Sequence, residues 1–191
     1  LLSGARGRGE GAMTRLPELF AQLPEAFAWS YDPLRPWARL DAPLDDLLAA
    51  LPSAEIQGRV HPGAHLVGDR IVLGKGSRIA PGAVVEGPVW IGEDVEIRVG
   101  AYLRGGCWVG DGCVVGANVE MKRAILFPGA HAAHLNYVGD SILGRDVNLG
   151  AGVILCNFRH DGQEIRIPAG IGDGERLATG KRKLGALLGD R

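Results

Sequence analysis

Large aliphatic residues recur at every sixth position along most of the chain. The spacing holds without a slip from residue 73 to residue 127 and resumes at residue 143. The residues in this column (the anchors) are Leu73, Ile79, Val85, Ile91, Ile97, Leu103, Val109, Val115, Met121, Phe127, Leu143, Leu149 and Leu155. Glycine often follows an anchor directly, and a small or β-branched residue stands four positions after it, as at Ala83 and Val95. A six-residue repeat with these columns is typical of a parallel β-helix.

The repeat predicts an all-β fold in which each hexad forms one short strand and one turn. The anchor points inward, the small residue packs beside it, and glycine permits the tight corner. A sandwich of short strands is the alternative, and ten anchors in register argue against it. The pattern resembles the hexapeptide-transferase family, and this resemblance implies left-handed coils of three hexads each.

The segments before the repeat have a different character. Residues 1–12 are expected to be disordered, either a mis-called start or a cloning remnant. Residues 13–58 are expected to form a helical N-terminal cap or the remnant of an upstream domain. Asp41 can cap a helix whose apolar face begins at Leu44, and a flexible linker would not carry so many apolar residues.

Residues 59–191 are expected to form the β-helix itself, with one interruption. A stretch at about 156–183 has no anchors and is interpreted as a loop insertion. Asp161 and Gly162 predict a turn there, leading into a hairpin strand at Gln163–Ile167.

Composition and charge exclude several classes of protein. The formal net charge of the 191-residue chain is −1 and its isoelectric point is about 6.6, whereas proteins that bind nucleic acids or membrane surfaces usually have a basic excess. No apolar run is long enough to span a bilayer, and no signal-peptide core is visible. Three cysteines cannot all pair, which favours a reducing, cytoplasmic environment.

Two basic residues are brought together by the repeat. Arg104 and Lys122 each follow an anchor and are eighteen residues apart, so three hexads per coil give them the same position on neighbouring coils. Neighbouring strands are about 4.8 Å apart, and two cations at that distance repel unless an anion lies between them or water screens them. A phosphate group suits such a site. Two solvated surface charges are the alternative.

The six-residue spacing of the anchors is interrupted once. The anchors at 127 and 143 are sixteen residues apart, so we expect a loop to replace a corner within His131–Ser141. That segment contains His134, Asn136, Tyr137 and Asp140. Loops on rigid scaffolds often carry functional residues, and an imidazole can act as a general base near neutral pH. A structural histidine is the alternative.

Histidine pairs invite a metal site, but the pattern does not support one. His131 with His134, and His61 with His65, lack an identifiable partner that would orient them. The sequence therefore predicts no metal.

Four segments occur in an order that resembles a known family. They are VEMKRA (119–124), HLNYVGDSILGRDVNLGAG (134–152), CNF (156–158) and RKLGALLGD (182–190). Together they resemble the C-terminal acetyltransferase domain of the bacterial bifunctional N-acetylglucosamine-1-phosphate uridyltransferase/glucosamine-1-phosphate acetyltransferase. They are also similar to the β-helix half of archaeal-type sugar-1-phosphate nucleotidyltransferases with amino-sugar acetyltransferase activity. The resemblance covers roughly residues 59–190.

The resemblance implies roles for eight residues. His134 is implied as the general base that takes a proton from the sugar amine, and Asn157 as the residue that orients the amine or the histidine. The amide of Ala151 would face the thioester carbonyl and stabilise an oxyanion. The implied substrate-binding residues are Arg104 and Lys122 for the phosphate, Tyr137 and Asn148 for sugar and phosphate, and Lys183 as a basic residue closing over the substrate.

The implied activity is transfer of an acetyl group from acetyl-CoA to an amino-sugar phosphate, with no metal required. The implied partners are a sugar phosphate or nucleotide sugar, acetyl-CoA, and two further copies of the chain in a cytoplasmic homotrimer. Outward-facing Val84, Trp90, Tyr102 and Trp108 are expected to form the trimer interface. A non-catalytic trimerisation or sugar-nucleotide-binding module is the alternative function.

The sequence departs from the family pattern at two places. Phe158 stands where the bifunctional enzyme has a tyrosine, so one hydroxyl contact is expected to be lost. The family also continues for several coils that carry much of the acetyl-CoA site, whereas this sequence stops at Arg191, inside a hexad. Either the sequence is truncated or the protein lacks half of its donor site.

Overall fold

The computed structural model describes residues 19–20, 23–28, 32, 35–168 and 176–191, and short parallel strands dominate them. The first sheet contains, in spatial order, β1 (Ala54–Ile56), β4 (Ile71–Leu73), β7 (Val89–Ile91), β10 (Cys107–Val109), β13 (Ile125–Leu126), β16 (Ile142–Leu143) and β21 (Leu187–Leu188). The second contains β2 (Arg59–Val60), β5 (Arg78–Ile79), β8 (Glu96–Ile97), β11 (Val114–Ala117), β14 (His131–His134) and β17 (Asn148–Leu149). The third contains β3 (His65–Val67), β6 (Val84–Glu86), β9 (Tyr102–Arg104), β12 (Glu120–Lys122), β15 (Tyr137–Gly139) and β18 (Ile154–Leu155).

The remaining elements are small and lie outside these sheets. They are the antiparallel pair β19 (Arg166–Pro168) and β20 (Arg176–Ala178), α1 (Glu25–Ala28), a 3₁₀ helix (Pro36–Leu40) and α2 (Ala42–Ala49). None of the helices in the described ranges is long and apolar enough to cross a membrane.

Consecutive strands enter the first, second and third sheet in turn, so three strands make one coil of a three-sided solenoid. Leu103 of β9, for example, pairs in parallel with Met121 of β12, eighteen residues later. The interior is filled by anchors and by small residues such as Ala101 and Cys107, which are fully buried. The predicted parallel β-helix is confirmed.

The repeat keeps its register further than the anchors at 127 and 143 suggest. Leu126, not Phe127, occupies the interior position beside Val109. The interior column then continues through Ala132 and Val138. Phe127 was therefore wrongly identified as an anchor; it points outward.

The predicted loop within His131–Ser141 is wrong, because β14 and β15 run through it. Two corners are each one residue short instead, so the interior spacing is five residues from 121 to 126 and again from 138 to 143. Arg123 and Asp140 close these corners with left-handed backbone at φ 45° and 46°. The error has a simple cause: Ala132 is too small to stand out in a column of large anchors.

The N-terminal helices cover the outer face of the first sheet. Phe127 is fully buried there, in a cluster with Phe27 of α1 and Leu44 of α2. Trp90 and Trp108 join this cluster and stack with ring centroids 4.7 Å apart. The chain's own N-terminal segment therefore covers the face that carries both tryptophans, and the prediction that they face another subunit is wrong.

The predicted helices thus lie along one side of the solenoid. The first strand begins at Ala54, inside the range 13–58 assigned to the cap, and pairs with β4. The first coil exposes several large apolar side chains: Ile56 is 41% exposed, Leu66 38% and Val67 48%. The expectation for residues 1–12 concerns residues outside the described part of the chain.

The chain leaves the solenoid between β18 and β21, where the insertion at about 156–183 was predicted. The turn at Asp161–Gly162 is present, with the Gly162 N–H donating to the Arg159 carbonyl at 3.0 Å. The hairpin strands are β19 and β20 rather than a strand at Gln163–Ile167. The insertion joins the N-terminal segment through Trp37, whose Nε1 donates to the Thr179 carbonyl at 3.0 Å.

Candidate active site

The third sheet brings the two basic residues of the repeat together. Arg104 of β9 is the register partner of Lys122 of β12, as their spacing predicts. A carboxylate pairs with one of them: Arg104 Nη1 donates to Glu120 Oε1 at 2.8 Å. This hydrogen bond holds the pKa of Arg104 above its usual range. The Glu120 carboxylate therefore offsets part of the repulsion between Arg104 and Lys122, so a ligand or water is not the only source of compensation.

The two cations are not equally available to a ligand. Both side chains of the Arg104–Glu120 pair are about two-fifths exposed, at 42% and 40%, and solvent weakens such pairs. The Lys122 ammonium makes no hydrogen bond or ion pair with any residue that the structure describes. Lys122 is therefore the readier anion ligand, and Arg104 must share its guanidinium with Glu120.

A hydrogen-bonded network lies beside Lys122 on the same face. A Cβ added to Gly139 of β15 would lie 2.5 Å from Tyr137 Oη and 2.7 Å from Asn157 Nδ2. Both polar groups therefore occupy space that only glycine leaves open. Asn157 Nδ2 donates to Asp140 Oδ2 at 2.5 Å, and the Asn157 side chain adjoins the Tyr137 hydroxyl over Gly139. Asp140 is only 6% exposed.

The network fixes both the protonation of Tyr137 and the orientation of Asn157. Burial raises the pKa of Tyr137, nearby Glu120 and Asp140 raise it further, and the hydrogen bond from Asn157 opposes them. The phenol therefore remains a proton donor at neutral pH. Because Asn157 Nδ2 lies between Asp140 and Tyr137, its Oδ1 is left to accept a hydrogen bond from a ligand.

His134 ends β14 at the corner between the second and third sheets and is exposed. Its register partner is Ala117, and the seventeen-residue step to β17 gives Ala151 the same position on the next coil. His134 thus has an alanine at the same position on both neighbouring coils, and its imidazole makes no hydrogen bond with a described residue. Buried Asn136 fixes this corner: its Oδ1 accepts from the His134 N–H at 3.2 Å and its Nδ2 donates to the Gly150 carbonyl at 2.8 Å.

The other predicted site residues are more dispersed. Lys183 forms an antiparallel bridge with Phe158, directly after Asn157, and is exposed at the edge of the third sheet. Asn148 lies beside His131 on the second sheet. The fold therefore does not bring Asn148 to the face that carries the hydrogen-bonded network.

Sequence reasoning misses Glu120 at this site, and it names Asp140 within His131–Ser141 without assigning it a role. Strand alternation places Glu120 on the outer face with Lys122, and this signal could have found it. Asp140 has no comparable signal, because its surroundings depend on the insertion. Its carbonyl accepts from the Gly185 N–H at 2.9 Å, a contact between residues far apart in the chain.

The three cysteines differ in burial, and the described side chains form no metal site. Cys107 and Cys113 are buried in the solenoid, and burial raises the pKa of each thiol to about 12. Cys156 is exposed and follows β18. In the described ranges, no group of three or more His, Cys, Asp or Glu side chains could hold a metal ion.

Comparison with known proteins finds relatives of the β-helix. A family model described as bacterial transferase hexapeptide (six repeats) matches residues 88–123. The chain is 43% identical over 75 residues to a bifunctional sugar-1-phosphate nucleotidylyltransferase/acetyltransferase of Sulfurisphaera tokodaii, a match covering 39% of this chain and 18% of that protein. It is 40% identical over 131 residues to the bifunctional protein GlmU of Alkalilimnicola ehrlichii, covering 65% of this chain and 27% of that protein.

The matched segments therefore span about a fifth to a quarter of the length of these curated relatives. Among solved structures, the chain is similar to PerB from Caulobacter crescentus in complex with CoA and GDP-perosamine. That match has 25% identity and a TM-score of 0.26, and it covers 54% of this chain and 48% of that one. Residues 88–123 thus match hexapeptide transferase repeats, and the chain is similar to part of the bifunctional sugar-1-phosphate nucleotidylyltransferase/acetyltransferase and GlmU proteins.

Proposed function

We propose that the chain transfers an acetyl group from acetyl-CoA to the amine of an amino-sugar phosphate resembling glucosamine 1-phosphate. One observation carries the proposal: Lys122, Tyr137 and Asn157 share the outer face of one sheet, and His134 lies at the corner that leads into that sheet. A cation, two neutral hydrogen-bonding groups and an imidazole match the phosphate, hydroxyls and amine of such a substrate. The acetyltransferase activity in the name of the Sulfurisphaera relative supports the same reaction.

In the proposed mechanism, the amine attacks the carbonyl carbon of the acetyl thioester. His134 accepts the proton that the amine loses as the C–N bond forms. The Ala151 N–H donates to the developing oxyanion. The C–S bond then breaks, coenzyme A leaves as the thiol or thiolate, and the N-acetyl sugar phosphate remains. The reaction needs neither a covalent enzyme intermediate nor a metal.

Substrate binding is assigned to the remaining site residues. Lys122 and Arg104 hold the phosphate, and Arg104 shares its guanidinium with Glu120. The Tyr137 hydroxyl donates to the sugar. Asn157 accepts from the amine through Oδ1, because its Nδ2 lies between Asp140 and Tyr137. Asp140 is a positioning residue: it orients Asn157 by a hydrogen bond, and its charge helps to keep Tyr137 protonated.

The proposed assembly is a homotrimer. Val99, Leu135 and Ile154 are 55%, 59% and 57% exposed near the His134 corner, and exposed apolar residues of this kind mark interfaces. In such a trimer Asn148, on the second sheet, and Lys183, on the insertion, would reach ligand from neighbouring positions. The three free cysteines fit the reducing environment of the cytoplasm.

A non-catalytic trimerisation or sugar-nucleotide-binding module is the second candidate. Two observations favour it: Glu120 already neutralises Arg104, and no described residue orients the His134 imidazole. Thermal shift with acetyl-CoA and with glucosamine 1-phosphate, tested separately, distinguishes the two functions. Stabilisation by both ligands supports the acetyltransferase. Stabilisation by the sugar phosphate alone supports the binding module, and stabilisation by neither indicates a scaffold.

A further inference from the structure

A cavity of about 430 Å³ lies along the edge where the third sheet turns into the first. One wall is helix α2, with Asp45, Leu48 and Ala49. The other wall is formed by the corners of four successive coils, and its lining residues are Arg70, Pro88, Gly105, Gly106, Lys122 and Arg123. The volume falls within the range of small-molecule sites, about 300–1,000 Å³. Apart from Lys122, none of these residues takes part in the proposed acetyl transfer.

The charge of the lining is positive. Three of the nine residues are cationic and one is acidic. Asp45 is engaged by both Nη atoms of Arg123, each at 2.9 Å, so these two charges offset each other. Arg70 contacts Asp69, outside the cavity, through a single nitrogen at 3.2 Å. Lys122 has no charged partner within the described chain. Arg70 and Lys122 are therefore the two cations that an anion entering the cavity can meet.

The floor between these two cations carries little side chain. Two corners separate that of Arg70 from that of Lys122: Pro88 forms the first, and Gly105 and Gly106 form the second. A Cβ on Gly105 would approach the Gly87 carbonyl to 2.8 Å, and Gly106 has φ +78°, so side chains are disfavoured at both positions. A ligand can therefore lie close to the backbone between Arg70 and Lys122.

The cavity adjoins the candidate active site through Lys122. This residue is the register partner of Gly139, over which Tyr137 and Asn157 lie. A ligand with one phosphate at Lys122 can thus place a second phosphate towards Arg70. A sugar monophosphate has no group to occupy that second position.

We propose that this cavity binds the diphosphate of a nucleotide-linked substrate, with Lys122 and Arg70 each contacting one phosphate. The inference rests on the proposed function in that Lys122 is shared with its phosphate site. Two substrates carry this chemistry: a nucleoside diphosphate amino sugar as acceptor, or the adenosine diphosphate moiety of coenzyme A as donor. Arginine and lysine both bind phosphate oxygens through charged hydrogen bonds.

Isothermal titration calorimetry with UDP-glucosamine, coenzyme A and glucosamine 1-phosphate tests the proposal. Arg70→Ala should weaken one of the two diphosphate ligands by about tenfold or more, and should weaken it more than glucosamine 1-phosphate. The ligand that is affected identifies the source of the diphosphate. Arg59→Ala, which removes an exposed arginine of the first coil outside the cavity, should change no affinity.

A second variant should act in the opposite direction. Asp45→Asn removes the carboxylate that offsets Arg123, so it should tighten the same diphosphate ligand. Equal losses for all three ligands in Arg70→Ala, or no loss for any of them, would overturn the proposal. These binding measurements do not depend on turnover. A wild-type protein that binds the diphosphate ligand but acetylates nothing would refute the proposed function and leave this inference standing.

Discussion

A single buried carboxylate organises the candidate site at the residue scale. Asp140 accepts a hydrogen bond from Asn157, which in turn contacts Tyr137. Its negative charge also disfavours the phenolate. The raised pKa of Tyr137 means that its hydroxyl stays a donor as the pH rises through neutrality and is lost only at strongly alkaline pH.

Substitutions in this network should move the pKa of Tyr137 in opposite directions. Asp140→Asn removes a negative charge but keeps an acceptor for Asn157, so the pKa should fall relative to the wild type. Asn157→Ala removes the hydrogen bond that stabilises the phenolate, so the pKa should rise. Titration of the tyrosine Cζ resonances by ¹³C NMR measures both changes. Asp146→Asn, at an exposed corner with similar backbone (φ 56°), is the control that should change nothing.

The three thiols should differ sharply in reactivity. Cys107 and Cys113 have pKa values of about 12, so only on the order of one thiol in 10⁴ is ionised at pH 8. Cys156 is exposed and adjoins the site. Ellman's reagent should therefore modify one thiol per native chain and three per chain in guanidinium, and glucosamine 1-phosphate should slow the native reaction. Rapid modification of all three thiols in the native protein would contradict the packing described for the solenoid interior.

At the scale of elements, α2 matters because it covers the first sheet and forms one wall of the cavity. Leu44 is fully buried in the cluster that joins the helix to the sheet. Leu44→Ala should lower the free energy of unfolding by about 2–5 kcal/mol through lost burial and a residual void. Urea denaturation followed by circular dichroism measures this loss. Asp46→Ala, on the exposed face of the same helix, should cost far less.

The elements also mark where sequence reasoning succeeds and where it fails. The spacing of anchors predicts the coils and the pairing of Arg104 with Lys122, because stacking of coils is set by a local period. It fails at Ala132, where a small interior residue hides the anchor column. It also wrongly predicts that Trp90 and Trp108 face another subunit, because the N-terminal segment, distant in sequence, covers that face. The role of Asp140 is not predicted for the same reason, since the returning insertion creates its surroundings.

At the scale of the whole molecule, the proposed homotrimer would make contact at one exposed corner. Leu135 is 59% exposed and has φ 51°, a conformation that costs a leucine free energy unless other contacts compensate. The equivalent corners carry glycine or asparagine at Gly100, Asn118 and Gly152. An apolar residue in a place suited to small or polar ones favours an interface.

Light scattering should therefore give three times the 20.2 kDa mass of the chain at micromolar concentration. Leu135→Asn should weaken the trimer by removing apolar contact, while relieving strain within each chain, because asparagine tolerates left-handed backbone better. A monomeric wild type would remove the proposed assembly. An unchanged trimer in Leu135→Asn would exclude this corner from the interface.

The central claim is that His134 takes the proton from a sugar amine during acetyl transfer. The most direct test follows formation of N-acetylglucosamine 1-phosphate from acetyl-CoA and glucosamine 1-phosphate by mass spectrometry, with wild type and His134→Ala compared at saturating substrate. We expect product with the wild type and turnover lower by about 10²–10⁴-fold in the variant, with the affinity for glucosamine 1-phosphate nearly unchanged by calorimetry. No product from the wild type, or full turnover without the imidazole, would contradict the account.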